Sequence, residues 1–182
     1  MNKINLELKH YCKDFKKVRL VLKEIGAKKE VVKNQKDYFF NLSDINKEKL
    51  PRLKLRIEGK KQLLVYYERP QFVKGKDTAS DVKLYEVKDN QLLSFLVKSL
   101  GVKAVVDKKR EVWRKTNTVF HIDNVKGVGG IFEIELQKKG SKITEADKKI
   151  FKSYQDKLLP FLGPVIKGSN VDLVKPEKRI SL

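Results

Sequence analysis

The sequence predicts an α+β protein built on an eight-stranded antiparallel β-barrel with about three flanking helices. Eight segments have the extended pattern of apolar and polar residues that is typical of strands. Three other segments repeat apolar residues at helical spacing. Most strands follow one another directly, which favours antiparallel pairing, and closing eight strands into a barrel removes exposed sheet edges.

The first strand shows the alternation most clearly. Leu6 and Leu8 lie on one face, and Glu7 and Lys9 lie on the other, as the two-residue period of a strand requires. The predicted strands are Ile4–Tyr11, Glu30–Asn41, Arg52–Glu58, Gln62–Arg69, Ser80–Val87, Val102–Lys115, Thr118–Val125 and Ile131–Lys138. The predicted helices are Phe15–Ile25, Asn90–Leu100 and Thr144–Leu159.

Capping and turn residues mark the ends of these segments. Asp14 can cap the first helix, and Gly26 is suited to the position just after its end. Gly101 closes the second helix, and the Gly127–Gly130 cluster turns the chain between the last two strands. The tail, from about residue 160 to residue 182, contains Pro and Gly and is expected to be irregular.

Composition limits the class of protein. The 182 residues fit one domain, over residues 1–182, and 40% of them are hydrophobic, which is enough for a core. No apolar run approaches the roughly 20 residues of a membrane span, so we expect a cytoplasmic protein without a membrane partner. Cys12 is the only cysteine, so a metal would need mainly oxygen ligands, which suit Mg²⁺ or Mn²⁺. The oligomeric state, monomer or homodimer, stays open.

The net charge of +19 indicates an anionic partner. Charge alone does not distinguish nucleic acid from a phosphorylated small molecule. A basic β-barrel that binds RNA or single-stranded nucleic acid without catalysis is therefore a second hypothesis.

The polar faces of the strands separate the two signs of charge. Carboxylates fall on the first and the last two strands, and cations fall mostly on the middle strands. If these faces point into a barrel, a polyphosphate with a divalent metal would balance both sets, because unpaired buried charges are costly. The carboxylates are Glu7, Asp123, Glu133 and Glu135, and the cations are Lys9, Lys54, Arg56, Arg69, Lys108, Arg110 and Arg114.

Several motifs, in order along the chain, resemble those of the CYTH, or triphosphate tunnel metalloenzyme, family. Asn5–Lys9 looks like the signature Glu-x-Glu-x-Lys, with Asn5 at the first Glu, and Arg52–Ile57 resembles the basic strand of the family. The other matches are Tyr66–Pro70, Lys108–Glu111, His121–Asp123, Gly127–Gly129, Phe132–Glu135 and Ser169–Leu173. The branch that they resemble most is that of the class IV adenylate cyclases.

The resemblance implies a fold, a substrate class and site residues. The fold would be an eight-stranded antiparallel tunnel that binds a triphosphate such as ATP, thiamine triphosphate or tripolyphosphate. The implied metal ligands are Glu7, Asp123, Glu133 and Glu135, and the implied catalytic residues are Glu7, Lys9, Asp123 and Glu133. The implied phosphate-binding residues are Lys9, Lys54, Arg56, Arg69, Lys108, Arg110 and Arg114. Asn5 removes one anionic ligand, which leaves the number of metals, one or two, open.

Two reactions fit these residues. A cyclase would convert ATP to cyclic AMP and pyrophosphate, and a triphosphatase would hydrolyse the terminal phosphate. The sequence does not show which oxygen is placed to attack phosphorus. The clustered carboxylates count against the nucleic-acid hypothesis, since they would repel a phosphate backbone.

Overall fold

A computed structural model describes residues 3–42, 49–70, 82–139 and 143–176. The strands are β1 (Lys3–Tyr11), β2 (Lys28–Phe40), β3 (Lys49–Glu58), β4 (Lys61–Pro70), β5 (Val82–Val87), β6 (Val102–Lys115), β7 (Thr118–Val125) and β8 (Gly129–Lys139). The helices are α1 (Phe15–Glu24), α2 (Leu92–Leu100) and α3 (Glu145–Leu158). The prediction of eight strands and three helices is confirmed, with boundaries that differ by three residues at most.

The strands form one sheet in the order β1-β8-β7-β6-β2-β3-β4-β5. The pairs β1–β8, β7–β8, β2–β3, β3–β4 and β4–β5 are all antiparallel, as the direct succession of strands predicts. In the expected irregular tail, two short 3-10 helices lie at Leu159–Phe161 and Asn170–Asp172, and residues 177–182 are outside the described part of the chain. None of the described helices is long and apolar enough to cross a membrane.

The described chain divides into two compact units. The first contains residues 3–33, 109–139 and 143–167, and the second contains residues 34–42, 49–70, 82–108 and 168–176. The assignment of one domain to residues 1–182 stays a prediction.

In the first unit, one face of β1, β7 and β8 packs against α1 and α3. Leu6, Phe120 and Phe132 from the sheet join Leu22 of α1 and Leu158 of α3 in one hydrophobic core. Because strand side chains alternate, the residues between these apolar ones point to the opposite face. The core therefore fixes the direction in which the charged residues of these strands point.

The second unit repeats this arrangement with α2. Leu55 of β3 and Tyr38 of β2 pack with Leu96 of α2, and Leu64 of β4 and Val87 of β5 pack against the same core. The residues that alternate with them on β2 and β3 include the charged residues Asp37, Lys54 and Arg56.

The helix ends follow the capping signals in the sequence. The carboxylate of Asp14 accepts a hydrogen bond from the backbone N–H of Lys17, at 3.1 Å. Thr144 and Asp147 form a capping box at the start of α3. Gly101 ends α2 with φ of 68°, a conformation that glycine adopts at little cost.

Gly130 allows β8 to approach the end of β1. The N–H of Cys12 donates a hydrogen bond to the carbonyl of Gly130, at 2.9 Å. A Cβ atom on Gly130 would lie 2.0 Å from the carbonyl oxygen of Cys12 and 2.9 Å from the ring of Phe15. Both neighbours would have to move.

We expect Gly130→Ala to lower the free energy of unfolding by more than about 3 kcal/mol, because the added methyl displaces backbone as well as a core ring. Gly127→Ala is the control: Gly127 has φ of 76° but no heavy atom within 4 Å of an added Cβ. Gly127→Ala should lower the free energy of unfolding by about 1–2 kcal/mol, which is the cost of placing alanine in the left-handed conformation. Urea unfolding measures both, and equal losses would contradict the close approach.

Candidate functional site

Five charged residues of the first unit form what we call the acidic cluster: Glu7, Lys9, Arg110, Asp123 and Glu133. Strand pairing places Lys9 of β1 directly opposite Glu133 of β8. The Lys9 ammonium lies 3.2 Å from Glu7 and 3.7 Å from Glu133. Arg110 of β6 donates two hydrogen bonds of 2.6 Å to Asp123 of β7 and one of 3.1 Å to Glu133. Two cations thus join three carboxylates.

Burial makes this pairing necessary. The side chain of Asp123 is 1% exposed, and those of Lys9 and Arg110 are 7% and 12% exposed. A buried charge without a partner costs several kcal/mol, whereas a bidentate Arg–carboxylate pair satisfies both groups. The cluster brings together all four of the predicted catalytic residues, Glu7, Lys9, Asp123 and Glu133.

Glu135 lies next to this cluster rather than within it. It stands directly opposite Glu7 across the β1–β8 ladder. Its carboxylate lies 3.5 Å from Nε2 of His121. Nδ1 of His121 is buried and has no hydrogen-bond partner in the described part of the chain.

The oxygen donors of the acidic cluster suit a hard divalent cation. Among the described residues, no three His, Cys, Asp or Glu side chains are already arranged as a ligand set for a metal. Glu7, Glu133 and Asp123 are instead occupied by Lys9 and Arg110. A metal would bind these carboxylates if the two cations moved to another anion.

A second group, the basic cluster, lies in the second unit and consists of Asp37, Lys54, Arg56 and Lys108. Asp37 of β2 stands opposite Arg56 of β3. Its carboxylate accepts hydrogen bonds of 2.7 Å from Lys54 and of 2.7 and 2.8 Å from Arg56. The Lys54 ammonium also lies 5.2 Å from the centre of the Phe39 ring. Lys108 is buried and is close enough to affect both Asp37 and Lys54 electrostatically.

Burial and charge set the protonation of this cluster. Burial raises the pKa of Asp37, but the nearby Lys54 charge and the Arg56 hydrogen bonds outweigh burial and hold that pKa well below its ordinary value. Burial lowers the pKa of Lys54 to about 8, with the attraction of Asp37 partly offsetting it. The charges of Arg56 and Lys108 lower the Lys54 pKa further.

Sequence reasoning did not identify Asp37. Its signal was weak, because it is one of two carboxylates in a long strand whose first half is mostly exposed. Sequence reasoning also did not single out the contact between Arg52 and Asp172, at 2.8 Å, although Asp172 belongs to the Ser169–Leu173 motif. Asp172 also accepts a hydrogen bond from the N–H of Ser169, which completes a capping box.

Three residues of the predicted pattern lie elsewhere or cannot be placed. Arg114 binds Glu30 at 2.6 Å near the surface, where the two side chains are 39% and 41% exposed. The structure does not join Arg114 to either cluster. The side chains of Asn5 and Arg69 are outside the described part of the structure, although their backbones lie in β1 and β4. The roles given to these three residues stay predictions.

Comparison with known proteins identifies a family over most of the chain. The model of the CYTH domain matches residues 3–160. A relative from Methanocaldococcus jannaschii, described as a candidate adenylate cyclase, is 33% identical over 148 residues, which are 80% of this chain and 82% of the relative.

Solved structures share the fold. The PH1012 protein of Pyrococcus horikoshii OT3 matches with a TM-score of 0.72 and 21% identity, over 94% of this chain and 99% of that one. HpAC1 from Hippeastrum, a candidate adenylyl cyclase described as having a dominant triphosphatase activity, matches with a TM-score of 0.63 and 15% identity, over 93% of each chain. Together with the family match, these likenesses support the tunnel fold predicted from the sequence.

We expect Asp37→Asn to lower the free energy of unfolding by about 3 kcal/mol or more, because it removes the buried carboxylate that two partly buried cations contact. Glu30→Gln is the control, since it breaks an exposed pair with Arg114 that is worth at most about 1 kcal/mol. Urea unfolding at pH 7 compares the two variants. Losses below about 1 kcal/mol in both would show that the basic cluster does not stabilise the second unit.

Proposed function

This chain belongs to the CYTH domain family, and we propose that it is a metal-dependent enzyme that acts on a triphosphate. The observation that carries the proposal is the acidic cluster, in which Lys9 and Arg110 hold Glu7, Glu133 and Asp123 together. Such a group supplies ligands for a metal and cations for phosphate in one place.

The relatives favour the same class of reaction. The M. jannaschii relative is described as a candidate adenylate cyclase, and HpAC1 as a triphosphatase. Both descriptions concern enzymes that act on a triphosphate. The proposed reactions for this chain are therefore cyclisation of ATP and hydrolysis of a triphosphate such as thiamine triphosphate or tripolyphosphate.

Glu7, Glu133 and Asp123 would hold Mg²⁺ or Mn²⁺. When bound, the metal neutralises the charge of phosphate oxygens and polarises the reacting phosphorus. Lys9 and Arg110 now contact these carboxylates, and phosphate oxygens are their natural alternative partners. Glu135, which neighbours Glu7, is a further ligand in this proposal.

Lys54, Arg56 and Lys108 would bind phosphate oxygens in the same way. Arg56 presents the planar fork that matches phosphate geometry, and Lys54 is a compact point charge. Asp37 holds both side chains in place on the face of β3. It is therefore a positioning residue in this proposal.

The two reactions differ in the attacking oxygen and in the leaving group. In cyclisation, the ribose 3′-hydroxyl oxygen forms a bond to the α-phosphorus, the bond from that phosphorus to the bridging oxygen breaks, and pyrophosphate leaves. In hydrolysis, a water oxygen forms a bond to the terminal phosphorus, the bond from that phosphorus to the bridging oxygen breaks, and the diphosphate part leaves while the terminal phosphate becomes orthophosphate. Both reactions need negative charge on the phosphates to be balanced, which is a part that cations such as Lys9 and Arg110 can supply.

Product analysis tests the proposal. The protein is incubated with ATP, thiamine triphosphate or tripolyphosphate, each with Mg²⁺, with Mn²⁺ or with a chelator, and the products are separated by chromatography. Cyclic AMP with pyrophosphate identifies a cyclase, and orthophosphate identifies a triphosphatase. Absence of turnover, combined with salt-dependent and metal-independent binding of RNA, would favour the nucleic-acid hypothesis instead.

Glu133→Gln should lower kcat/KM by at least about 100-fold and weaken the dependence on metal, because the amide cannot replace a carboxylate that contacts both cations and serves as a ligand. Glu111→Gln is a matched control: Glu111 has a side chain of similar exposure and binds Arg19 outside the cluster. Circular dichroism checks the fold of both. Equal activity of the two variants would contradict the assignment of Glu133.

Affinity for tripolyphosphate should fall as the pH rises through about 8, because Lys54 is charged below its pKa and neutral above it. Lys54→Arg keeps its charge to above pH 12 and should remove much of that fall. Calorimetric titration between pH 7 and pH 9.5 measures the effect, with Lys36→Arg, at an exposed lysine of the same unit, as the control. If all three proteins show the same pH profile, Lys54 does not bind phosphate.

A further inference from the structure

The face of the second unit that carries the basic cluster changes from charged to apolar across the sheet. Lys54 of β3 stands opposite Val65 of β4, and Val65 stands opposite Leu84 of β5. Because directly opposed residues of antiparallel strands point to the same side, these three side chains share one face. This row therefore begins with a cation and ends with two aliphatic side chains.

The neighbouring row also begins with a cation and continues with two apolar side chains, one aromatic and one aliphatic. Arg52 stands opposite Tyr67, and Tyr67 stands opposite Val82. We call Val65, Tyr67, Val82 and Leu84 the apolar strip. It lies beside the cations of β3 on the same face of the sheet.

Half of the apolar strip is accessible. Val65 and Tyr67 are buried, whereas Val82 is 48% exposed and Leu84 is 58% exposed. On the opposite face of β5, Val87 packs against the core that contains Leu96, whereas Tyr85 is 67% exposed. Exposed aliphatic side chains gain about 1.5–3 kcal/mol each when they are fully buried, so this part of the face favours an apolar ligand group.

We propose that the apolar strip binds the organic group of an organic triphosphate, while the cations beside it bind the phosphates. This inference rests on the proposed function and narrows its substrate class, because inorganic tripolyphosphate has no group for the strip. The chemistry of the strip fits a flat heteroaromatic ring such as a nucleobase or the rings of thiamine.

The position of the strip matches a ligand of this kind. Adjacent strands lie about 4.8 Å apart, so the backbone at Leu84 is roughly 10 Å from that at Lys54. One molecule that joins a ring to a polyphosphate can span such a distance. Its anionic part would meet Lys54 and Arg52, and its ring would cover Val82 and Leu84.

A nucleic-acid strand fits the face less well. It would carry a phosphate at every nucleotide, and continuous binding would need cations along the strip as well. The strip contains none, and the row that follows it ends in a carboxylate, with Arg56 opposite Leu63 and Leu63 opposite Glu86. The repulsion of that carboxylate would add to the cost of binding a backbone.

Leu84→Lys tests the inference, with Tyr85→Lys as the matched control. Tyr85 is the next residue of the same strand, points to the other face and is 67% exposed, so both variants add one charge to β5. Calorimetric titration with Mg²⁺ measures the dissociation constants of ATP, thiamine triphosphate and tripolyphosphate. Size-exclusion chromatography measures the oligomeric state of each variant.

We expect wild-type protein to bind ATP or thiamine triphosphate more tightly than tripolyphosphate. Leu84→Lys should weaken the binding of the preferred organic triphosphate about tenfold, which corresponds to about 1.4 kcal/mol. Its affinity for tripolyphosphate should stay the same or rise, since the variant adds a cation. Tyr85→Lys should change each affinity by no more than about twofold.

Four results would overturn the inference. Tripolyphosphate binding that equals or exceeds that of both organic triphosphates in the wild type would overturn it and leave the proposed function intact. If Leu84→Lys and Tyr85→Lys lose the same affinity for the organic triphosphate, Leu84 stabilises the fold and does not contact the ligand. If Leu84→Lys alone changes the oligomeric state, Leu84 contacts a second copy of the chain instead. Absence of binding of any triphosphate by the wild type would overturn the proposed function as well.

Discussion

The structure depends on pairing the charged side chains that its strands bury. In both units the alternation of strand residues puts aliphatic and aromatic side chains against a helix and charged side chains on the other face. Asp123 and Asp37 are almost fully buried there, and each accepts hydrogen bonds from an arginine fork. Without those cations, neither carboxylate could stay ionised at this depth. The ion pairs therefore allow each strand to have one apolar and one charged face.

The same pairing fits the proposed binding of a highly charged ligand. Lys9 and Arg110 satisfy the carboxylates, so no large unbalanced charge is buried in the acidic cluster. In the proposed function, a triphosphate with its metal would bring both an anion for the cations and a cation for the carboxylates. Binding would then exchange one set of ion pairs for another, which costs less than the burial of new charges. Asp37 has the equivalent role for Lys54 and Arg56.

Local patterns were sufficient to predict most of the fold. The period of two in Ile4–Tyr11 and the capping residues Asp14 and Gly101 are properties of neighbouring residues, and the structure confirms each of them. Alternation also indicated which charged residues share a face with Glu133. The alternation gave no distances. It therefore did not distinguish Arg110, which lies in the acidic cluster, from Arg114, which pairs with Glu30 near the surface.

Contacts between distant residues could not be read from the sequence. Asp37 and Arg56 meet only because of the register between β2 and β3, and nothing near Asp37 in the sequence shows that register. The pairing of Arg52 with Asp172 joins residues 120 positions apart. The apolar strip likewise combines residues of β4 and β5, and only the register of three strands shows that they lie beside the cations of β3.

A crystal structure of the protein with tripolyphosphate and Mn²⁺, with manganese located by anomalous scattering, tests the central claim most directly. The account predicts manganese on the carboxylate oxygens of Glu7, Glu133 or Asp123, and phosphate oxygens in contact with Lys9 and Arg110. Manganese bound elsewhere, with the contacts of Lys9 to Glu133 and of Arg110 to Asp123 unchanged, would contradict it.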